Sequence, residues 1–345
     1  MLTGYFQAIR FLIGMNWRKP QSTIVVEALK LQGDDGSEKV ADFYRPKCSS
    51  SKGLIIFYHG MNKYGRRDPR VQDACDVLRN LGYSVVAPEI DAVRELCITE
   101  KALNEIIEVT RRIKHHAELK QFKKVGLFAA SYTTAGAMYA ITQDDLKDFP
   151  TVMLSLGGCF IPLNSFVKLL SREVTDPYAT AITILNFLPG EDRQDEKVMK
   201  GLWLMTVDAY HNKSYEKIDT YLKSAELTEK QRRRISYWLN EIINPSDLYL
   251  EEGFKARYTG ASERIMKFFN EQNLKTPFVL IHSPGDSVLN VSETINFKKL
   301  LDDKRIPNTM ALTQLLDHAD IQFKFSYLKD IWHLLKAFAF FFGHL

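Results

Sequence analysis

Apolar residues in this chain fall into two patterns, short unbroken runs and helically spaced faces, and their alternation predicts the architecture. Leu54-Ile-Ile-Phe-Tyr58 is continuously apolar, as a strand buried on both faces requires. From Arg70 to Leu81 the apolar positions Val71, Ala74, Val77, Leu78 and Leu81 fall at helical spacing and stop at Gly82, a natural helix end. Tyr83 to Ala87 is the next apolar run, ended by Pro88. Thr99 to Ala117 has the spacing of a long amphipathic helix, Val125 to Ala130 is a further strand, and Thr151 to Leu156 another, broken at Gly157-Gly158. Strands alternating with helices at this interval predict an α/β protein with a mostly parallel central sheet and crossover helices. Upstream, Thr23–Leu31 and Val40–Arg45 flank the turn residues Gly33-Asp-Asp-Gly36 and predict an antiparallel hairpin.

The pattern changes from about Ile161 to Asn273, where strand-like runs give way to helical, charged segments. Thr228 to Gln231 has the form of a capping box opening a helix through Ile243, with Pro245 starting another. Pro277–His282 restores a buried strand, Met310–Leu316 predicts one more, and Phe323–Phe342 closes the chain as an apolar helix. The expected organisation is a core built from residues 1–160 and 274–345, interrupted by a helical insertion over 161–273. At the start of the chain, Leu2, Tyr5, Phe6, Ile9, Leu12 and Ile13 predict one apolar helix face. The segment is too short to span a bilayer, and it has neither the basic region nor the small-residue cleavage site of a secretory signal. Packing on its own domain is favoured over membrane association, because an interfacial anchor normally shows basic residues flanking its apolar face.

Composition narrows the function classes. The 345 residues are 45% hydrophobic and 26% charged, ordinary globular values with enough length for a large core. A formal net charge of +4 is small for this length, and the basic clusters Arg66-Arg67 and Arg232-Arg233-Arg234 lack interleaved aromatics, so no nucleic-acid partner is expected. Cys48, Cys75, Cys97 and Cys159 lie far apart in the sequence. That spacing predicts reduced, mostly buried thiols and no metal site, and hence a reducing, cytoplasmic setting.

The candidate chemistry centres on Val125-Gly-Leu-Phe-Ala-Ala-Ser131-Tyr-Thr-Thr-Ala-Gly136. It reads as a strand, a sharp turn and a helix, with Ser131 at the apex among small residues, which lets strand and helix pack closely on either side. Ala129 and Thr133 stand where glycines are expected. His59-Gly60 likewise follows a strand, and parallel sheets of this type carry their sites at the carboxyl ends of the strands. Taken alone, Ser131 also fits an ordinary helix N-cap, and Gly285-Asp286 an ordinary turn.

Together these features resemble the α/β-hydrolase superfamily, in its esterase or lipase-like style, over roughly residues 23–343 with a helical cap inserted after the sixth strand. The resemblance assigns Ser131 as nucleophile. Asp286, in His282-Ser-Pro-Gly-Asp-Ser-Val-Leu-Asn290, matches the acid, and His318, in Leu316-Asp-His-Ala-Asp320, matches the base. It implies that the Met61 and Tyr132 N–H groups form the oxyanion hole, with His59 shaping that turn. The implied activity is cleavage of a small-molecule carboxylic ester by a Ser-His-Asp triad, with no metal or organic cofactor. Apolar residues of the insertion (Ile182, Leu185, Phe187, Leu188, Trp203, Met205) point to an acyl or aromatic group. Asp176 and Asp192 are weaker candidates for the acid. His282, His333 and His344 compete with His318, with His282 expected to be a buried structural residue near the site. A thioesterase, acyltransferase or peptidase would use the same triad, and the non-glycine residues at 129 and 133 leave open an inactive fold used as a binding module.

Overall fold

A computed structural model describes residues 2–16, 24–48, 50–98, 100–158, 160, 176–188, 190–212, 218–240, 263–271, 274–317, 320–321 and 328–345. The chain divides into two compact units: Met1–Ile161 with Glu263–Leu345, and Pro162–Ser262.

The larger unit is built on an eight-stranded sheet. Its strands are β1 (Glu27–Gln32), β2 (Glu38–Tyr44), β3 (Leu54–Tyr58), β4 (Ser84–Pro88), β5 (Val125–Ala130), β6 (Val152–Leu156), β7 (Phe278–His282) and β8 (Asn308–Leu312), in the spatial order 1-2-4-3-5-6-7-8. The first two form the expected antiparallel hairpin, with Leu29 opposite Ala41, and β2 runs antiparallel to β4. From β4 to β8 every pairing is parallel. A small hairpin, β9 (Leu316–Asp317) with β10 (Asp320–Ile321), follows β8. The helices are α1 (Leu2–Asn16), α2 (Pro69–Asn80), α3 (Asp91–Arg94), α4 (Glu100–His115) and α5 (Thr133–Ile141) before the second unit. In the second unit lie α6 (Pro177–Phe187), α7 (Gly190–Gln194), α8 (Glu196–Asn212), α9 (Ile218–Leu222) and α10 (Glu229–Asn240). Then follow α11 (263–271), α12 (Ser292–Asp303) and α13 (Leu328–Gly343).

The unbroken apolar runs became central strands. All five residues of β3 are buried, as are all six of β5 and all five of β7. Phe57 and Phe128 stack across the sheet at 4.5 Å, and Phe341 of α13 meets Phe128 edge-on at 6.2 Å. Removing such a side chain from water is worth roughly 2–3 kcal/mol. Helix α2 starts as its residue types dictate: Asp68 accepts from the Arg70 N–H at 2.9 Å, with Pro69 in the first turn.

Two elements differ from the sequence expectation. The strand expected over Met310–Leu316 ends at Leu312: Thr313 N–H still reaches the His282 carbonyl at 3.0 Å, but the two donors after it are taken by side chains. Gln314 N–H donates to Asp330 at 2.7 Å and Leu315 N–H to Thr313 at 3.1 Å, which turns the chain while Leu315 stays fully buried. Helix α1 buries Gly4, Gln7, Ala8, Phe11, Leu12 and Met15 and leaves Leu2, Phe6, Ile9 and Ile13 exposed. The helix is apolar nearly all round, so periodicity could not select the inner face. Close contact with α13 selects it, since a Cβ at Gly4 would lie 2.3 Å from the Ala339 carbonyl oxygen.

The described residues of the smaller unit are helical apart from short connections. The capping box at α10 is reciprocal, with Thr228 N–H donating to Gln231 at 2.9 Å and Gln231 N–H to the Thr228 hydroxyl at 3.3 Å. Of the apolar residues named above, Ile182, Leu185, Leu188 and Met205 are buried and Trp203 is 41% exposed, so for the first four burial alone accounts for their apolar character. Pro245 lies outside the described residues.

Candidate active site

Strand β5 ends at Ala130 and α5 starts at Thr133, leaving two residues to reverse the chain. Ser131 makes this turn with a φ of +56°, one of three positive values at non-glycine positions among the described residues. The left-handed region costs an L-residue with a side chain on the order of 1–2 kcal/mol, so the surroundings must enforce it. They do so through hydrogen bonds on both sides: Ser131 N–H donates to the Leu156 carbonyl of β6 at 2.9 Å, and Thr134 N–H donates back to the Ser131 carbonyl at 3.1 Å. The serine itself is 8% exposed.

The non-glycine neighbours are accommodated. Thr133 is fully buried and donates its hydroxyl hydrogen to the Ala130 carbonyl at 2.8 Å, capping the end of β5. Thr134 lies 3.2 Å from the Ser155 hydroxyl on the neighbouring strand. Space is scarce further along, where a Cβ at Gly136 would come within 2.1 Å of Ile106 on α4. The small residues thus serve close packing of α5.

The turn after β3 lies beside the serine. A Cβ built on Gly60 would be 3.7 Å from both the Ser131 Cβ and the Ala130 carbonyl oxygen. The carbonyl of Gly60 is held twice, by the Asn62 amide nitrogen at 3.0 Å and by His59 Nδ1 at 3.0 Å. Ile90 N–H donates to His59 Nε2 at 3.3 Å, which leaves the proton on Nδ1 for Gly60. Asn62 is buried and accepts from Tyr64 N–H at 2.9 Å, so both ends of its amide are used. In a trans peptide the C=O and the following N–H point in opposite directions, so holding the Gly60 oxygen also sets the aim of the Met61 N–H. Sequence reasoning missed Asn62; its only signal was a polar residue two positions after His59-Gly60.

Behind this turn the Asp42 carboxylate is fully buried, with Arg66 at 3.4 Å and Arg67 at 3.4 Å. Burial pushes its pKa above the ordinary value, more than the two guanidiniums pull it down, and Glu89 adds to the rise.

Asp286 follows β7 as expected. One of its carboxylate oxygens accepts from Val288 N–H at 2.8 Å and Leu289 N–H at 2.9 Å, and the other lies 3.3 Å from His282 Nε2. Both side chains are fully buried. His282 is anchored in turn by Thr294 at 2.6 Å and by the Leu289 carbonyl at 2.9 Å. It is therefore a buried histidine beside the acid, with both ring nitrogens engaged. His318 lies outside the described residues, and the flanking pairs Leu316–Asp317 and Asp320–Ile321 run antiparallel.

Asp176, Asp192 and His344, three of the competing residues, have other partners. Asp176 caps α6, accepting from Tyr178 and Ala179 N–H. Asp192 accepts from Arg234 at 2.8 Å and from the Trp238 indole at 2.9 Å. His344 Nδ1 lies 2.8 Å from the Phe340 carbonyl, and His333 is half-buried on α13. Among the described residues, no three His, Cys, Asp or Glu side chains are grouped to hold a metal ion.

No family model and no curated protein sequence matches the chain. Solved structures do. A puromycin-hydrolysing peptidase from Mycobacterium tuberculosis aligns with 94% of this chain and 40% of its own, at 14% identity and a TM-score of 0.52. An acylaminoacyl peptidase from Pyrococcus horikoshii aligns with 95% of this chain and 41% of its own, at 14% identity and a TM-score of 0.48. A Pyrococcus furiosus esterase aligns with 95% of this chain and 94% of its own, at 11% identity and a TM-score of 0.48. The chain spans about two fifths of the length of the peptidases it matches.

Proposed function

We propose that this chain, whose fold is that of the α/β-hydrolases, is a serine hydrolase that cleaves carboxylic esters through an acyl-enzyme. Ser131 Oγ attacks the ester carbonyl carbon as the His318 imidazole takes its proton, and Asp286 orients that imidazole and favours its charged form. The negative charge on the carbonyl oxygen is met by the Met61 and Tyr132 N–H groups; in such sites loss of one donor costs about 3 kcal/mol. The C–O bond to the leaving group then breaks, and the departing alkoxide takes the proton from His318. Water attacks the acylated Ser131 with His318 as base, and the carboxylic acid leaves as the proton returns to Ser131. These steps call for no metal or organic cofactor. In this reading the inserted residues 161–273, helical over most of their described parts, select the substrate.

What carries the reading is the left-handed Ser131 at the β5–α5 turn, with the Gly60 turn beside it, where an added Cβ would lie 3.7 Å from the Ser131 Cβ. A serine serving only as a helix cap has no need of that strain, and a hydroxyl held at the apex of a strand–turn–helix is what attack requires. The fold shared with a puromycin-hydrolysing peptidase favours one second reading, in which the same residues cleave an amide.

Labelling with a fluorophosphonate probe tests the proposal. Wild-type protein is expected to label and folded Ser131→Ala protein is not; absence of Ser131-dependent labelling overturns it. Matched nitrophenyl esters and nitroanilides then separate ester from amide cleavage.

A further inference from the structure

The exposed line on α1 stands apart from this site. Leu2, Phe6, Ile9 and Ile13 fall four, three and four residues apart, a single stripe about 16 Å long. Their exposures are 88%, 59%, 44% and 47%. Isolated apolar residues on a surface are ordinary, but four large ones in line are not. The stripe sits on a firm base, since the opposite face of α1 is locked to α13 by Gly4 against Ala339 and by Phe11 packed 4.7 Å from Phe338. Its apolar surface continues onto α13, where Tyr5 stacks on Trp332 at 6.0 Å and the indole is 50% exposed.

Cations frame this surface. The Arg10 guanidinium lies 5.6 Å over the Phe6 ring, and the Lys336 ammonium 5.2 Å over Trp332. Lys329 is exposed on the same helix. Lys52 is near enough to Arg10 that, after burial, the arginine's charge is what most lowers its pKa. Helix α1 has no acidic residue, and the single acid of α13, Asp330, accepts from the Gln314 N–H at 2.7 Å.

We propose that this α1–α13 face docks on a membrane surface bearing anionic phospholipids, the stripe entering the acyl boundary with Trp332 at headgroup level and Arg10, Lys329 and Lys336 on the phosphates. Each feature has its counterpart in a lipid surface: apolar side chains for the acyl boundary, an indole for the interface, cations for anionic headgroups. A second copy fits less well, because a two-fold contact brings the same cations against one another. The flanking cations that α1 lacks in its own sequence come largely from α13, at the other end of the chain. The proposal rests on this surface and not on the hydrolase reading.

Co-sedimentation of the full chain with vesicles of phosphatidylcholine, with and without about one third phosphatidylserine, tests it. Binding is expected on the anionic vesicles and to weaken as salt is raised. Phe6→Ser with Ile13→Ser, both exposed positions, is expected to reduce binding at least roughly tenfold, and Arg10→Gln with Lys336→Gln roughly tenfold on anionic vesicles alone. Trp332 emission shifts to the blue on binding, read as the difference from Trp332→Phe. Failure of the wild type to bind, or binding unchanged in both double variants, overturns the proposal. So does a dimer in sedimentation velocity that the Phe6→Ser/Ile13→Ser protein loses without any vesicle binding by the wild type, since a second copy then covers the face.

Discussion

The Asn62 amide donates to the Gly60 carbonyl at 3.0 Å, and through that bond it sets the direction of the Met61 N–H, the proposed oxyanion donor. The Met61 N–H belongs to the same peptide plane and turns with it. Asn62→Ala is expected to lower kcat on a nitrophenyl ester roughly ten- to a hundredfold, as a misplaced catalytic group does, with little change in KM. An effect confined to KM, or to stability in urea, would show that Asn62 acts elsewhere.

The backbone of Ser131 stores strain that glycine would relieve. With φ at +56°, Ser131→Gly is expected to be more stable than Ser131→Ala by about 1 kcal/mol in urea denaturation, both variants being inactive. Equal stabilities would mean that the turn is not strained.

Gly4 lets two helices approach closely. Because its Cβ would meet a backbone oxygen, Ala339 O at 2.3 Å, the clash cannot be relieved by rotating a side chain. Gly4→Ala is expected to destabilise the fold by about 1–3 kcal/mol, read as a lower urea midpoint. Gly36, with nothing within 4 Å of its Cβ position, has a φ of +78°, so Gly36→Ala should cost only the smaller backbone penalty of about 1 kcal/mol.

Asp42 makes stability depend on pH in the direction opposite to a salt-bridged carboxylate. Its folded pKa lies above the ordinary 3.8, chiefly through burial. The folded state therefore binds the proton more tightly, and stability falls as pH rises from 3.8 through the raised folded value. Asp42→Asn is expected to stabilise the protein at pH 7 and to lose that advantage towards pH 3, measured as urea midpoints across the range. A variant less stable at pH 7 would show that Arg66 and Arg67 outweigh the desolvation of the carboxylate.

The strand ends and their loops were readable because they rest on local signals. The continuous run Leu54–Tyr58 is a central strand, and the small residues around Ser131 do sit at a tight turn. Asp286 lies after β7 with its carboxylate buried beside His282. Asn62 was not readable, since a buried asparagine and a loop asparagine look alike until both ends of the amide are seen to be bonded. The end of β8 was misread because Leu315 is apolar for burial while side chains take the donors of its turn.

The amino-acid sequence by itself determined the order of strands and helices, the parallel sheet and the loops at the strand ends that hold the candidate residues, because periodicity and turn residues act within a few positions of themselves. Tertiary structure alone decided the left-handed backbone of Ser131, the grip of Asn62 and His59 on Gly60, and which face of α1 is exposed between Arg10 and the lysines of α13. Each of these depends on groups brought together from distant parts of the chain, or on a backbone angle that the packing around it enforces. A hydrophobic pattern records that a residue is buried; it does not record what it is buried against.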